Sequence, residues 1–153
     1  MCSYDGSRKK GYMSLETAEK TIEQAAELGI TEVRFFLAGE PFFHPHLPEL
    51  IARAKAKNLN TLIHTNATFM PEDRVKRVLE TGLDKISFSF DGESAEEYER
   101  IRRGGKFEPT LRNILNFLKL KKNTLLNKNE SLCSNKCTSS SKRKLNNLNV
   151  IMW

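Results

Sequence analysis

The chain has 153 residues, 39% of them hydrophobic, and a net charge of +6. That length suffices for one domain with a real core, and no apolar stretch is long enough to cross a bilayer. The charge excludes a simple basic-domain reading: the last 31 residues, 123–153, carry five Lys/Arg against one acid, while the body is nearly balanced.

Three cysteines, Cys2, Cys133 and Cys137, do not suggest a secreted disulfide framework. With no signal-peptide pattern at the start, the expected compartment is the cytoplasm. In chain order, Ser14 reads as an N-cap, followed by an apolar stripe through Leu15, Ala18, Ile22, Ala25, Ala26 and Leu28, with Gly29 as the stop. Glu32 to Leu37 reads as a buried strand. Pro48 opens a second helix that ends near Asn58, and Thr61 to Thr65 is the next strand. Pro71 opens a third helix with Val75, Val78 and Leu79 inward and Gly82 at its end. Lys85 to Phe90 is a third strand, and Ala95 to Ile101 a short helix. Pro109 opens a last helix with Leu111, Ile114, Leu115 and Leu118 expected on one face.

This alternation predicts an α/β fold, a parallel βα repeat with right-handed crossovers. Three strands are too few for a closed barrel, and the first element is a helix where a strand is expected, so the chain reads as an incomplete piece of such a fold. Residues 123–153, with seven Asn and five Ser, show no sustained apolar period and are expected to be disordered or foreign to the fold. Val150 to Trp153 are too few to build anything alone.

Polar groups gather where the strands end. Phe35-Phe36-Leu37-Ala38 runs into Gly39-Glu40-Pro41, Thr61 to His64 into Thr65-Asn66, and Ser87-Phe88-Ser89-Phe90 into Asp91-Gly92. The carboxyl ends of parallel strands are where such folds do chemistry. Each piece also has a plainer reading. Gly-Glu-Pro and Asp-Gly are ordinary turn signals. His44 and His46 read as solvated loop residues rather than metal ligands, His64 as packed, and Phe35, Phe36, Phe88 and Phe90 as core.

Taken together over roughly residues 1–122, these motifs resemble the radical S-adenosylmethionine (SAM) superfamily, and the peptide- and cofactor-maturing enzymes within it. Met1-Cys2 is similar to the end of that family's Cys-x3-Cys-x2-Cys loop. Ala38-Gly39-Glu40-Pro41 resembles its Gly-Gly-Glu-Pro, Thr65-Asn66-Ala67 its Thr-Asn-Gly, and Ser89-Phe90-Asp91-Gly92 its Ser-x-Asp-Gly. Arg102 falls before a Gly-rich turn, Gly104-Gly105, as a basic residue often does there.

The resemblance implies a fragment of a partial (β/α)6 TIM-like barrel, with a core domain over 1–122 and a tail over 123–153. It implies a [4Fe-4S] cluster held by cysteines, of which Cys2 is the one present, and SAM as cofactor. It further implies reductive cleavage of SAM to start hydrogen abstraction from a peptide or small-molecule substrate. The reductant would be a ferredoxin or flavodoxin.

Gly39 would allow close approach of the backbone, and Glu40, its carbonyl expected to be unpaired, would receive the SAM ammonium. Asn66 joins the same rim. Ser89 and Asp91 would meet the ribose hydroxyls and Arg102 the carboxylate. Two of the family's three loop cysteines have no counterpart here, so the chain is expected to be catalytically incompetent as written. Cys133-x3-Cys137 copies part of the loop, but Ser140 stands at the third position. Two alternatives stand beside this reading: a nucleotide- or phosphate-binding α/β module, and a basic-tailed nucleic-acid binder. Neither membrane nor nucleic-acid partners are expected.

Overall fold

The computed structural model describes residues 11–37, 39–134 and 148–152. In chain order they form α1 (Leu15–Glu27), β1 (Glu32–Phe35), a 3-10 turn (Pro41–Phe43), α2 (Leu47–Ala56), β2 (Asn60–Thr65), α3 (Glu72–Glu80), β3 (Lys85–Phe88), α4 (Ala95–Ile101), α5 (Phe107–Ser134) and β4 (Asn149–Met152). The four strands make one sheet in the order β1-β2-β3-β4, and every pairing is parallel.

Local sequence explains most element ends. The Ser14 hydroxyl caps α1 by accepting from the Thr17 N–H at 3.2 Å. Gly29, at φ +75°, closes the helix in a conformation that disfavours a side chain. Helix α5 begins two residues before Pro109, which sits in the first turn where no N–H is needed.

The helices lie on one face of the sheet, and each packs on a neighbour: α1 on α2, α2 on α3, α3 on α5. Ile63, Ile86 and Phe88 point into that layer and meet Ile51, Val75, Val78, Ile114 and Phe117. Ile22, Ala54 and Leu59 extend the core under α1. Strand residues alternate between faces, so Arg34, Leu62, His64, Lys85 and Ser87 fall on the other side. Helices on a single face define an arc of a βα barrel, as the sequence predicts, and not a doubly wound sheet.

Two expectations need correction. Helix α5 is rotated: Ile114 and Phe117 are buried, whereas Leu115 and Leu118 are exposed. The Phe117 ring meets Phe88 edge-on at 5.5 Å, and Ile114 and Phe117 pack together into the main core.

The segment expected to lack structure contains the last twelve residues of α5 and all of β4. Asn149–Met152 does not stand alone; it adds to the open edge of β3, where Lys85 pairs with Asn149 and Phe88 with Met152. Leu148 is buried in the main core, Val150 packs against it, and Lys121 Nζ donates to the Leu148 carbonyl at 2.8 Å.

At the amino ends of the strands, Asp84 accepts from Lys55 Nζ at 2.8 and 2.9 Å, from the Thr61 N–H at 2.8 Å and from the Thr61 hydroxyl at 2.9 Å. Burial pushes the Asp84 carboxyl up, but Lys55 and the two Thr61 donors outweigh it and hold the pKa below the ordinary 3.8. Asp84→Asn is therefore expected to cost about 1.5–3 kcal/mol at neutral pH. A depressed carboxyl pKa stabilises above its unfolded value, so the deficit should shrink as pH falls below 3.8. Urea titrations at two pH values check this.

Candidate functional site

The carboxyl ends of β1, β2 and β3 carry three linked clusters. The first is built on Glu40. Gly39, at φ +131°, swings the chain away from β1. A Cβ there would meet nothing within 4 Å, so the backbone angle, not crowding within the chain, requires the glycine.

The Glu40 carboxylate then reaches across to the end of β2. Its Oε1 accepts from the Thr65 hydroxyl at 2.6 Å and the Phe42 N–H at 3.2 Å, and its Oε2 accepts from the Asn66 N–H at 2.8 Å. Burial pushes the Glu40 carboxyl above its ordinary 4.5, against the pull of these donors. Its backbone carbonyl is not unpaired as expected: the 3-10 turn brings the Phe43 N–H to it at 3.0 Å. Among the described residues no hydrogen bond engages Gly39.

Asn66 Oδ1 accepts from the Thr68 N–H at 2.9 Å and the Thr68 hydroxyl at 2.7 Å, an Asx turn. The next residue, Ala67, is at φ +57°, a conformation that glycine adopts more easily. Asn66 Nδ2 has no hydrogen bond among the described residues.

The second cluster is centred on His64. Its Nδ1 lies 3.0 Å from Ser87 Oγ and its Nε2 lies 2.6 Å from Ser89 Oγ. The Ser89 N–H donates to the Thr65 carbonyl at 2.8 Å, which fixes the backbone of both residues. The Phe36 ring, exposed on this face rather than in the core, sits 5.2 Å from the imidazole. Burial, and then the charge of Arg102, hold the His64 pKa below 6.5.

The third cluster joins Asp91 to Arg102. Gly92, at φ +94°, turns the chain so tightly into α4 that a Cβ would lie 3.0 Å from the Tyr98 nitrogen. Helix α4 is short, and its far end returns Arg102 Nε to Asp91 Oδ2 at 2.5 Å. The two Nη groups of Arg102 have no hydrogen bond among the described residues.

Glu40 and Asn66 are thus bonded to one another, as are Asp91 and Arg102. Ser89 is joined to His64, which senses the charge of Arg102. Cys2 lies outside the described residues, as does Cys137. The loop histidines act as a tie: His46 N–H donates to His44 Nδ1 at 3.2 Å, so His44 Nε2–H donates to the Met13 carbonyl at 3.0 Å. Among the described residues no group of three or more His, Cys, Asp or Glu is arranged to hold a metal.

One rim residue escapes a reading by motif, His64. Alternation along Thr61-Leu62-Ile63-His64-Thr65 was the available signal. If Ile63 faces the helices, His64 must face away from them.

An arc of parallel βα units with a polar rim defines part of a βα-barrel scaffold, a fold in which ligands bind at the strand carboxyl termini. The chain belongs to the radical SAM superfamily, whose pattern matches residues 1–129. It is similar to PqqA peptide cyclase of Granulibacter bethesdensis, at 35% identity over 65% of this chain and 27% of that protein. It is also similar to GTP 3',8-cyclase of Lactiplantibacillus plantarum, at 32% identity over 78% of this chain and 37% of that protein.

The solved structure described as native anSMEcpe with bound AdoMet and Kp18Cys peptide shares the fold. Its TM-score is 0.64 at 20% identity, over 99% of this chain and 46% of that one. The chain thus spans less than half the length of each of these proteins. Among the described residues no helix is long and apolar enough to cross a membrane.

The donor set fits a zwitterionic nucleoside such as SAM, which the family implies. The Gly39 carbonyl can accept, Asn66 Nδ2 and the Arg102 Nη groups can donate, and the Ser89 hydroxyl can do either. It does not by itself fit the iron–sulfur cluster the family also implies, because the described side chains supply no thiolate.

Proposed function

We propose that this chain forms the SAM-binding part of a radical SAM enzyme, with Gly39, Asn66, Ser89, Asp91 and Arg102 as its contacts and Glu40 as the residue that holds them in place. The observation carrying this reading is that Glu40, Asn66, Ser89 and the Asp91–Arg102 pair all lie at the carboxyl ends of adjacent strands and leave unspent donors and acceptors there.

Each role follows from what the group has left to offer. The ammonium of SAM goes to the Gly39 carbonyl, since the Glu40 carbonyl is engaged by Phe43. The carboxylate of SAM takes the two Arg102 Nη groups, a charge-assisted bidentate geometry that Asp91 keeps aimed by holding Nε. The ribose hydroxyls take Ser89 and Asp91, as carboxylates do in other nucleoside sites. Asn66 Nδ2 donates at the same rim.

Cys2 would supply one thiolate to a [4Fe-4S] cluster, which when bound provides the electron for reductive cleavage of SAM and so for hydrogen abstraction from a substrate. Two loop thiolates have no counterpart in these 153 residues, so the chain is expected to bind SAM without cleaving it. The core domain is proposed to occupy at least residues 1–122. Relatives named for a peptide and for a nucleotide keep both substrate classes in the proposal, with a ferredoxin- or flavodoxin-type reductant and a reducing cytoplasm.

Calorimetric titration of the anaerobically reconstituted protein with SAM tests the reading. SAM should bind, and Arg102→Ala should weaken it by tenfold or more, on the order of 1.4 kcal/mol. Iron should stay below about four per chain, with no cleavage. Absence of binding, or unchanged binding in the variant, overturns the site. Four irons with cleavage overturn the incompetence.

A further inference from the structure

On the face of the sheet turned away from the helices, His64 joins two hydroxyls that belong to the neighbouring strand and its extension. Ser87 Oγ is 3.0 Å from Nδ1 and Ser89 Oγ is 2.6 Å from Nε2. A neutral imidazole has one donor and one acceptor nitrogen, so it fixes the hydroxyl proton of Ser89 one way. With Nε2 as the acceptor nitrogen, the Ser89 O–H donates to it, and an imidazolium, which donates from both nitrogens, reverses that bond.

The surroundings oppose the cation. Facing His64 at the rim is Arg102, and the nearby carboxylates are already committed. Asp91 is paired with Arg102, Glu40 is held by Thr65, Asn66 and Phe42, and Glu32, lower on the same face, is paired with both Arg34 and Lys85. The Phe36 ring packs beside the imidazole from the β1 side.

We infer that His64 is a positioning residue of this site: as a neutral imidazole it orients the Ser89 hydroxyl toward a nucleoside hydroxyl, and protonation of His64 weakens ligand binding. The inference rests on the SAM-binding reading above and adds to it a pH-dependent control of affinity. Ser89 supplies the contact; His64 sets its direction.

Titration of the whole chain with SAM between about pH 5 and pH 8, for the wild type, His64→Gln, His64→Leu and Ser89→Ala, tests this. Wild-type affinity should fall by about tenfold toward the acid end, the value of one hydrogen bond to the ligand. His64→Leu and Ser89→Ala should each show about that tenfold loss at every pH. His64→Gln, which can still hold the Ser89 hydroxyl without titrating, should recover affinity to within about threefold and lose the pH step. That loss separates His64 from Glu40, whose carboxyl is unaltered in this variant.

The wild-type His64 ring, followed by nitrogen NMR, should titrate at the same midpoint as the affinity, and Ser89→Ala should move that midpoint. If the wild type binds but folded His64→Leu matches it with the same pH profile, or His64→Gln keeps the step, this inference is overturned alone. If the wild type does not bind SAM at any pH, the site reading falls and takes this inference with it.

Discussion

Replacing Glu40 by alanine is expected to lower folding stability by about 2–4 kcal/mol. It removes one carboxylate but strands three donors, the Thr65 hydroxyl and the N–H groups of Phe42 and Asn66. Those donors belong to the 3-10 turn and the end of β2, which the carboxylate bridges. Glu40→Gln keeps one acceptor oxygen and turns an amide NH2 toward one of the donors, so it should fall between alanine and the wild type.

The pH dependence has a definite sign. The folded protein holds the Glu40 proton above the ordinary value of 4.5, so folded Glu40 binds more protons than unfolded Glu40 between that value and its raised pKa. Stability from this group therefore declines as pH rises through that window and is level beyond it. The slope should be absent in Glu40→Gln. Urea unfolding across pH measures both effects, and wild-type stability in the alanine variant would mean that the carboxylate does not hold the rim.

Removing residues 148–153 is expected to cost more than about 3 kcal/mol. Leu148 is buried in the main core and Val150 packs on it. The Asn149 N–H donates to the Asp84 carbonyl at 2.9 Å, and Lys121 loses its partner carbonyl. Leu148→Ala should account for about 2–3 kcal/mol of this through the cavity it leaves. The comparison is sharp because composition alone makes this segment a dispensable tail. A deletion with unchanged urea midpoint would restore that view.

What the sequence made legible, and what it did not, follows from how far each interaction reaches. The Ser14 cap, the α1 stripe and the βα alternation are local, and each was readable within a few residues. The rim motifs were readable because they end strands, and strand ends in parallel sheets converge.

The phase of α5 was not. Leu115 and Leu118 are as apolar as Ile114 and Phe117, and only the packing of the sheet and α3 against the helix decides which pair is buried. Nor was β4, whose pairing depends on an edge that β3 leaves open more than 60 residues earlier in the chain. The Asn and Lys around it describe solvent exposure, and they say nothing of a distant vacancy in a hydrogen-bond ladder. The pairing of the Glu40 carbonyl is not legible either, because the 3-10 turn after Gly39 leaves no mark in Pro41-Phe42-Phe43. The side that His64 takes is hidden too, because a histidine within a strand does not reveal it until its neighbours are placed.

One consequence concerns sliding. Thr61 and Thr65 mark the two ends of β2, and each gives its hydroxyl to a carboxylate from a neighbouring segment, Asp84 below and Glu40 above. A strand that keeps its inward face can slip only in steps of two residues, roughly 6.6 Å along its axis. Any such step would tear out both anchors at once and drag the imidazole between them past its two serines. The carboxyl end of the strand thus inherits its alignment from a bond at the opposite end of the sheet, so the loops above can vary while the frame beneath them cannot drift.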